Sequence, residues 1–205
     1  MRTDDDILRA ALSSFADRGY DGMSLRTLNA EMGLSRGTIN QRFRSKQQLW
    51  YAAVDLGFRD LIRDLECELR PSALDGGDLG RFREYIRAFL IASSRHPELV
   101  RLMNQEGLRA SPRLDHVMST FTFPAMAATL KALKGLVAAR RARDVSARTL
   151  LFLVAHGAAA PFTLGALSDM FDPVDGPLDP MAHVEVVTDI IVGGICPRGD
   201  DNDQC

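Results

Sequence analysis

The chain is poor in the features that mark catalysis, metal binding or export. Its three cysteines, Cys67, Cys196 and Cys205, are odd in number and lie at no metal-ligand spacing, which argues against a disulfide framework and predicts a reducing, cytoplasmic setting. The start, MRTDDDILRA, lacks the cationic end and apolar run of a secretory leader. There is no nucleophile elbow, phosphate-binding glycine loop, zinc-type histidine pair or dinucleotide glycine pattern, so no catalytic residue, metal or cofactor is expected. No repeat or low-complexity tract interrupts the chain, and disorder is expected only in the polar, acidic tail PRGDDNDQC at 197–205. The longest uncharged run, Thr149 to Ser168, is rich in Ala and Gly, holds His156 and Pro161, and has no aromatic belt. It reads as a helix buried in a protein or dimer core, with no membrane partner.

What is present is helical. Hydrophobic residues make up 46% of the 205, enough for a real core. They recur at three and four rather than two, which predicts an all-α fold of about nine helices and no strand. Thr3 caps a first helix with Asp4, Asp5 and Asp6 in its opening turn, an inner stripe of Ile7, Leu8, Ala11, Leu12 and Phe15, and an end at Gly19. A second helix starts at Ser24 and breaks at Gly33, and a short third runs from Ser35 to about Phe43. Ser45 and Gln48 form a capping box that opens a long fourth helix. Further helices are predicted over 79–94, 97–108, 112–140, 145–168 and 180–193, after the loop PSALDGGDLG. The implied organisation is a three-helix domain at 1–46 and a larger helical domain at 47–196.

LRTLNAEMGLSRGTINQRF has the layout of a helix-turn-helix, whose second helix enters the DNA major groove. Gly33 stands where the turn needs a positive φ, and Ile39 and Phe43, four apart, pin the short helix inward. The outward set is then Gly37, Asn40, Gln41 and Arg44, flanked by Ser35, Arg36 and Thr38. Asn40 and Gln41 suit base edges, Thr38 suits a base edge or a thymine methyl, and Gly37 lets the backbone approach. Arg36, Arg42, Arg44 and Lys46 suit phosphates, as do Ser24 and Arg26 at the start of the second helix. Charge agrees: the first fifty residues carry eight bases against six acids, and no acid occurs from Leu34 to Val54.

The string ILRAALSSFADRGYDGMSLRTLNAEMGLSRGTINQRFRSKQQLW, Ile7 to Trp50, resembles the N-terminal domain of TetR/AcrR-family regulators, and HPELVRLMNQEGLRASPRLDHV, from His96, is similar to part of one branch of the family's ligand-binding domains. The resemblance implies a homodimer on a palindromic double-stranded operator, with repression relieved by a small-molecule effector. Two departures stand out. Asn40 replaces a tyrosine that typically holds a phosphate, and Asn29 replaces a small alanine near the recognition helix.

The C-terminal half carries many aromatic and methionine residues at helical spacing, most of them expected in the core. Candidate pocket residues are Phe89, Met103, Asn104, His116, Thr122, Phe123, Phe152 and His156, which mix apolar walls with a polar minority. A histidine such as His156 within an apolar helix is more often a hydrogen-bonded core or interface residue than a ligand contact. LLFLVAHGAAAPFTLGAL and HVEVVTDIIVGGI, with small residues at Gly157, Ala158, Ala159 and Gly165, are expected to pair across a dimer, with a kink at Pro161. A DNA-bound scaffold that recruits a protein and senses nothing remains the rival reading.

Overall fold

The computed structural model describes residues 2–196, and every regular element among them is helical, as expected. The tail at 197–205, with Cys205, lies outside the described residues. Contacts divide the chain into two compact units: residues up to Asp64 with Arg95–Pro124, and Leu65–Ser94 with residues from Ala125 onward. No helix among the described residues is long and apolar enough to cross a membrane.

In the first unit, α1 (Asp4–Gly22) opens on a complete capping box, with Asp6 N–H donating to Thr3 Oγ1 at 3.1 Å and Thr3 N–H donating to Asp6 Oδ2 at 2.9 Å. Its expected stripe is buried. Gly19, at φ 69°, breaks the helix where an end was expected, and one further turn carries the chain to Gly22. After α2 (Leu25–Glu31) and α3 (Thr38–Phe43), Ser45 caps α4 (Lys46–Glu68) by accepting from Gln48 N–H at 3.1 Å. A Cβ added at Gly57 would lie 2.6 Å from Leu12 Cδ2 and 3.0 Å from Leu99 Cδ2, so α1, α4 and the later helix bearing Leu99 cross almost in contact.

The second unit begins in the last turn of α4 and holds α5 (Pro71–Leu74) and most of α6 (Gly77–Arg95). The chain then re-enters the first unit as α7 (Pro97–Glu106), which carries Leu99 and packs along α1, and α8 (Pro112–Val117). It returns through α9 (Phe123–Ala138), α10 (Ala147–Leu151), α11 (Ala160–Thr163), α12 (Gly165–Asp169), α13 (Asp172–Asp175) and α14 (Pro180–Ile195). Phe82, Ile86, Leu90, Leu133, Leu136, Leu150, Val184 and Ile191 form its core. Two predicted helices are therefore divided. The 112–140 segment contains a π-helical stretch, Met118–Thr122, and the 145–168 segment contains another, Phe152–Ala158. Each lies just ahead of a proline, Pro124 or Pro161, whose ring cannot accommodate the carbonyl four residues back. Pro161 kinks its helix as expected, by widening the preceding turns and then starting α11.

A charged cluster lies inside this unit. Glu84 is 0% exposed and Arg87 4%. Arg87 donates to both Glu84 oxygens at 3.0 and 2.7 Å, and Arg70 donates through its backbone N–H at 2.9 Å and its guanidinium at 2.7 Å. Burial pushes the Glu84 carboxyl up, but the hydrogen bonds from Arg87 and Arg70 outweigh it and bring it down to about 2.

Candidate nucleic-acid interface

The two short helices of the first unit meet through a tight turn. Ser24 caps α2, its Oγ accepting from Thr27 N–H at 3.4 Å. Leu28 is buried at the centre of α2, and Gly33 takes the expected left-handed conformation, φ 66°. The third helix starts later than predicted, at Thr38 rather than Ser35. Gly37 adopts φ 85°, which ends a turn closed by Thr38 N–H to Ser35 carbonyl at 3.1 Å, and so becomes the N-cap instead of an outward helical position. Ile39 is 0% exposed and Phe43 half-buried, so the inner face of α3 is the one expected.

The outer face presents Asn40 and Gln41, both exposed, with Thr38 half-buried beside them. Ser35, Arg36, Arg26 and Arg44 are also exposed, and the three arginines make no ion pair among the described residues. Arg44 holds a positive φ, 63°, at the tight junction between α3 and α4. Two cations expected at phosphates are held elsewhere. Arg42 donates to Asp4 Oδ1 and to the Arg2 carbonyl, both at 3.0 Å, because α3 lies against the start of α1. Lys46 donates to the Asp21 carbonyl at 3.3 Å with its ammonium 4.8 Å from the Tyr20 ring centre. Asn29, noted in the sequence only as a departure, is buried and bonded to α3.

The eight candidate pocket residues are divided between the two units. Met103, Asn104, His116, Thr122 and Phe123 belong to the first unit, and Phe89, Phe152 and His156 to the second. His116 Nε2 lies 2.7 Å from Asp55 Oδ1, with its ring edge-on to Tyr51. Phe123 and Phe152 are exposed, Asn104 is exposed, and Met103, Thr122 and Phe89 are half-buried, Phe89 against the core. Only Phe152 and His156 come into ring contact, at 5.0 Å, and burial lowers the His156 pKa. The second unit also holds a cleft of about 650 Å³ between α11–α13 and α14, walled by Leu164, Leu167, Phe171, Leu178 and Val186, and none of the eight lines it.

Residues 7–53 match the model of bacterial regulatory proteins, tetR family. The HTH-type transcriptional regulator RutR of Escherichia coli K12 is 31% identical over 108 residues, which are 53% of this chain and 49% of RutR, so the chain spans about half the length of the curated relative it matches. A tetR-family regulatory protein from Rhodococcus RHA1 superposes with a TM-score of 0.67 at 17% identity, covering 97% of this chain and all of that one (100%). The TetR family transcriptional regulator PfmR from Thermus thermophilus superposes with a TM-score of 0.62 at 23% identity, again over 97% and 100%. These two show a shared fold. Residues 7–53 of this chain are thus similar to the tetR family of bacterial regulatory proteins, and the described chain shares the all-α fold of these solved proteins.

Proposed function

We propose that this chain is a ligand-responsive transcriptional repressor that binds a palindromic operator as a homodimer, with α3 in the major groove. The observation that carries the reading is the two-sided character of α3. Ile39 is buried, while Asn40 and Gln41 are exposed, as are Arg26, Arg36 and Arg44, which make no ion pair among the described residues. Asn40, Gln41 and Thr38 read base edges, and the arginines hold phosphates, with Ser24 and Ser35 as further backbone contacts.

A second copy is supported by the surface of the second unit. Phe152, Leu164, Leu167, Met170, Phe171, Val174, Val186 and Ile190 are all exposed there, apolar side chains that a second copy would cover. Two-fold pairing sets the two reading helices about 34–36 Å apart or at a multiple of it. The effector rests on the family resemblance, with the Phe152–His156 pair as the strongest of the candidate contacts.

The test is binding of the purified chain to the DNA upstream of its own gene against random DNA at two salt concentrations. A specific shift that weakens with salt, at two chains per duplex, supports the proposal. Equal affinity for both DNAs counts against it. Release of the bound duplex by members of a small-molecule panel supports the effector, and a complex indifferent to all of them favours the scaffold.

A further inference from the structure

The recognition helix has no cap of its own. Gly37 stands at the N-cap and has no side chain to offer, while the first-turn amides of any helix lack partners within it. Thr38 N–H is bonded to Ser35, which leaves the buried Ile39 N–H. It donates to Asn29 Oδ1 at 3.3 Å. The other end of the same carboxamide is also held, Nδ2 donating to the Leu25 carbonyl at 2.9 Å. The Asn29 main-chain carbonyl accepts from Leu34 N–H at 2.9 Å, in the turn itself. At 6% exposure the side chain has no water to exchange for these partners.

We infer that Asn29 is a positioning residue for DNA reading: it caps α3 from the preceding helix and so sets where Thr38, Asn40 and Gln41 are presented. The inference rests on the proposed role of α3 and adds a residue that never reaches the DNA. Main-chain and side-chain bonds from one buried residue join α2, the turn and α3, so the helix-turn-helix angle is set by hydrogen bonds as well as by apolar packing. Alanine at this position would keep α2 helical and remove both side-chain bonds.

The test uses Asn29→Ala and Asn29→Asp in the full chain. The first readout needs no DNA: hydrogen exchange at the Ile39 amide is expected to quicken about tenfold in Asn29→Ala. Asn29→Asp keeps an oxygen towards Ile39 and the positive end of α3, at the cost of the donor to Leu25, of a second oxygen set against that carbonyl and of a buried charge, and is expected to restore part of the protection. The second readout is the affinity ratio between a duplex that the wild-type chain selects from a random pool and an unselected duplex in the same salt. That ratio is expected to fall about fivefold to tenfold in Asn29→Ala and to recover in part in Asn29→Asp. A purely structural loss lowers both affinities together and leaves the ratio in place. Unchanged Ile39 exchange overturns the cap, and faster exchange with an unchanged ratio overturns the positioning role. If the wild-type chain selects no sequence, the DNA reading falls and the positioning role with it, while the exchange rate still decides the cap.

Discussion

The helix-turn-helix and the C-terminal unit distribute polarity in opposite ways. On α3 itself the polar and cationic side chains are exposed or half-buried and Ile39 is inside. In the C-terminal unit Glu84 and Arg87 are inside, while Phe171, Val174 and Ile190 are outside. The first arrangement suits a charged, hydrated partner, which polar groups meet without being stripped of water. The second suits an apolar partner of the same kind, and its interior ions keep their stability only as a set.

Breaking that set has the largest expected effect. Glu84→Ala leaves the Arg87 guanidinium buried without its carboxylate and should cost about 3–5 kcal/mol in denaturant unfolding near pH 7. A loss below about 1 kcal/mol would show that the cluster is dispensable. The pH dependence has a definite sign. Because the Glu84 carboxyl titrates near 2 when folded and 4.5 when free, its contribution is complete above pH 4.5 and disappears as pH falls through about 2. Acid titration of Glu84→Gln should lack that component.

The outer, apolar half of the contrast is tested next. Ile190, 66% exposed on α14, should tolerate Glu in the isolated fold, yet Ile190→Glu should weaken self-association by about 2 kcal/mol or more, read by sedimentation. Unchanged sedimentation would remove α14 from the proposed interface. Packing beneath the reading module comes third. Gly57→Ala forces a methyl against Leu12 and Leu99 and should cost about 1–3 kcal/mol of thermal stability without altering which DNA is preferred. Effects confined to DNA binding come last. Gln41→Ala should relax preference at one base pair by about 1–3 kcal/mol, whereas Arg36→Ala should weaken all DNA alike and reduce the salt slope by about 0.9 per site. Equal losses from Gln41→Ala on selected and random duplexes would take it off the base-reading face.

Most of the fold is legible in residues whose effect is local. Thr3, Ser45 with the Gln48 amide, Gly19 and Gly33 all act within a few positions of themselves, although Ser45 forms only half of the expected capping box, its own N–H donating to the Phe43 carbonyl at 2.7 Å, and Gly19 breaks the first helix without ending it. Pro124 was just as local a signal, but the apolar spacing around it masked a divided helix. The candidate site was legible on its inner face and less so on its outer one. Burial of Ile39 follows from periodicity, whereas the capture of Arg42 by Asp4, 38 positions away, depends on where α1 begins in space. Asn29 could be seen as unusual but not as a cap, because its partner amide is ten positions downstream. A helix start with glycine at the N-cap, facing a buried asparagine on the preceding helix, is the signal that would have found it.

The separation of capping from reading has a consequence for how such a protein diverges. No side chain on the outer face of α3 takes part in starting the helix, since Gly37 contributes only backbone and the acceptor belongs to Asn29. Thr38, Asn40 and Gln41 are thereby released from any structural duty at the helix start. On the proposed reading of α3, a lineage carrying this arrangement can exchange them one at a time, moving from one operator to another through intermediates whose third helix still begins at the same residue.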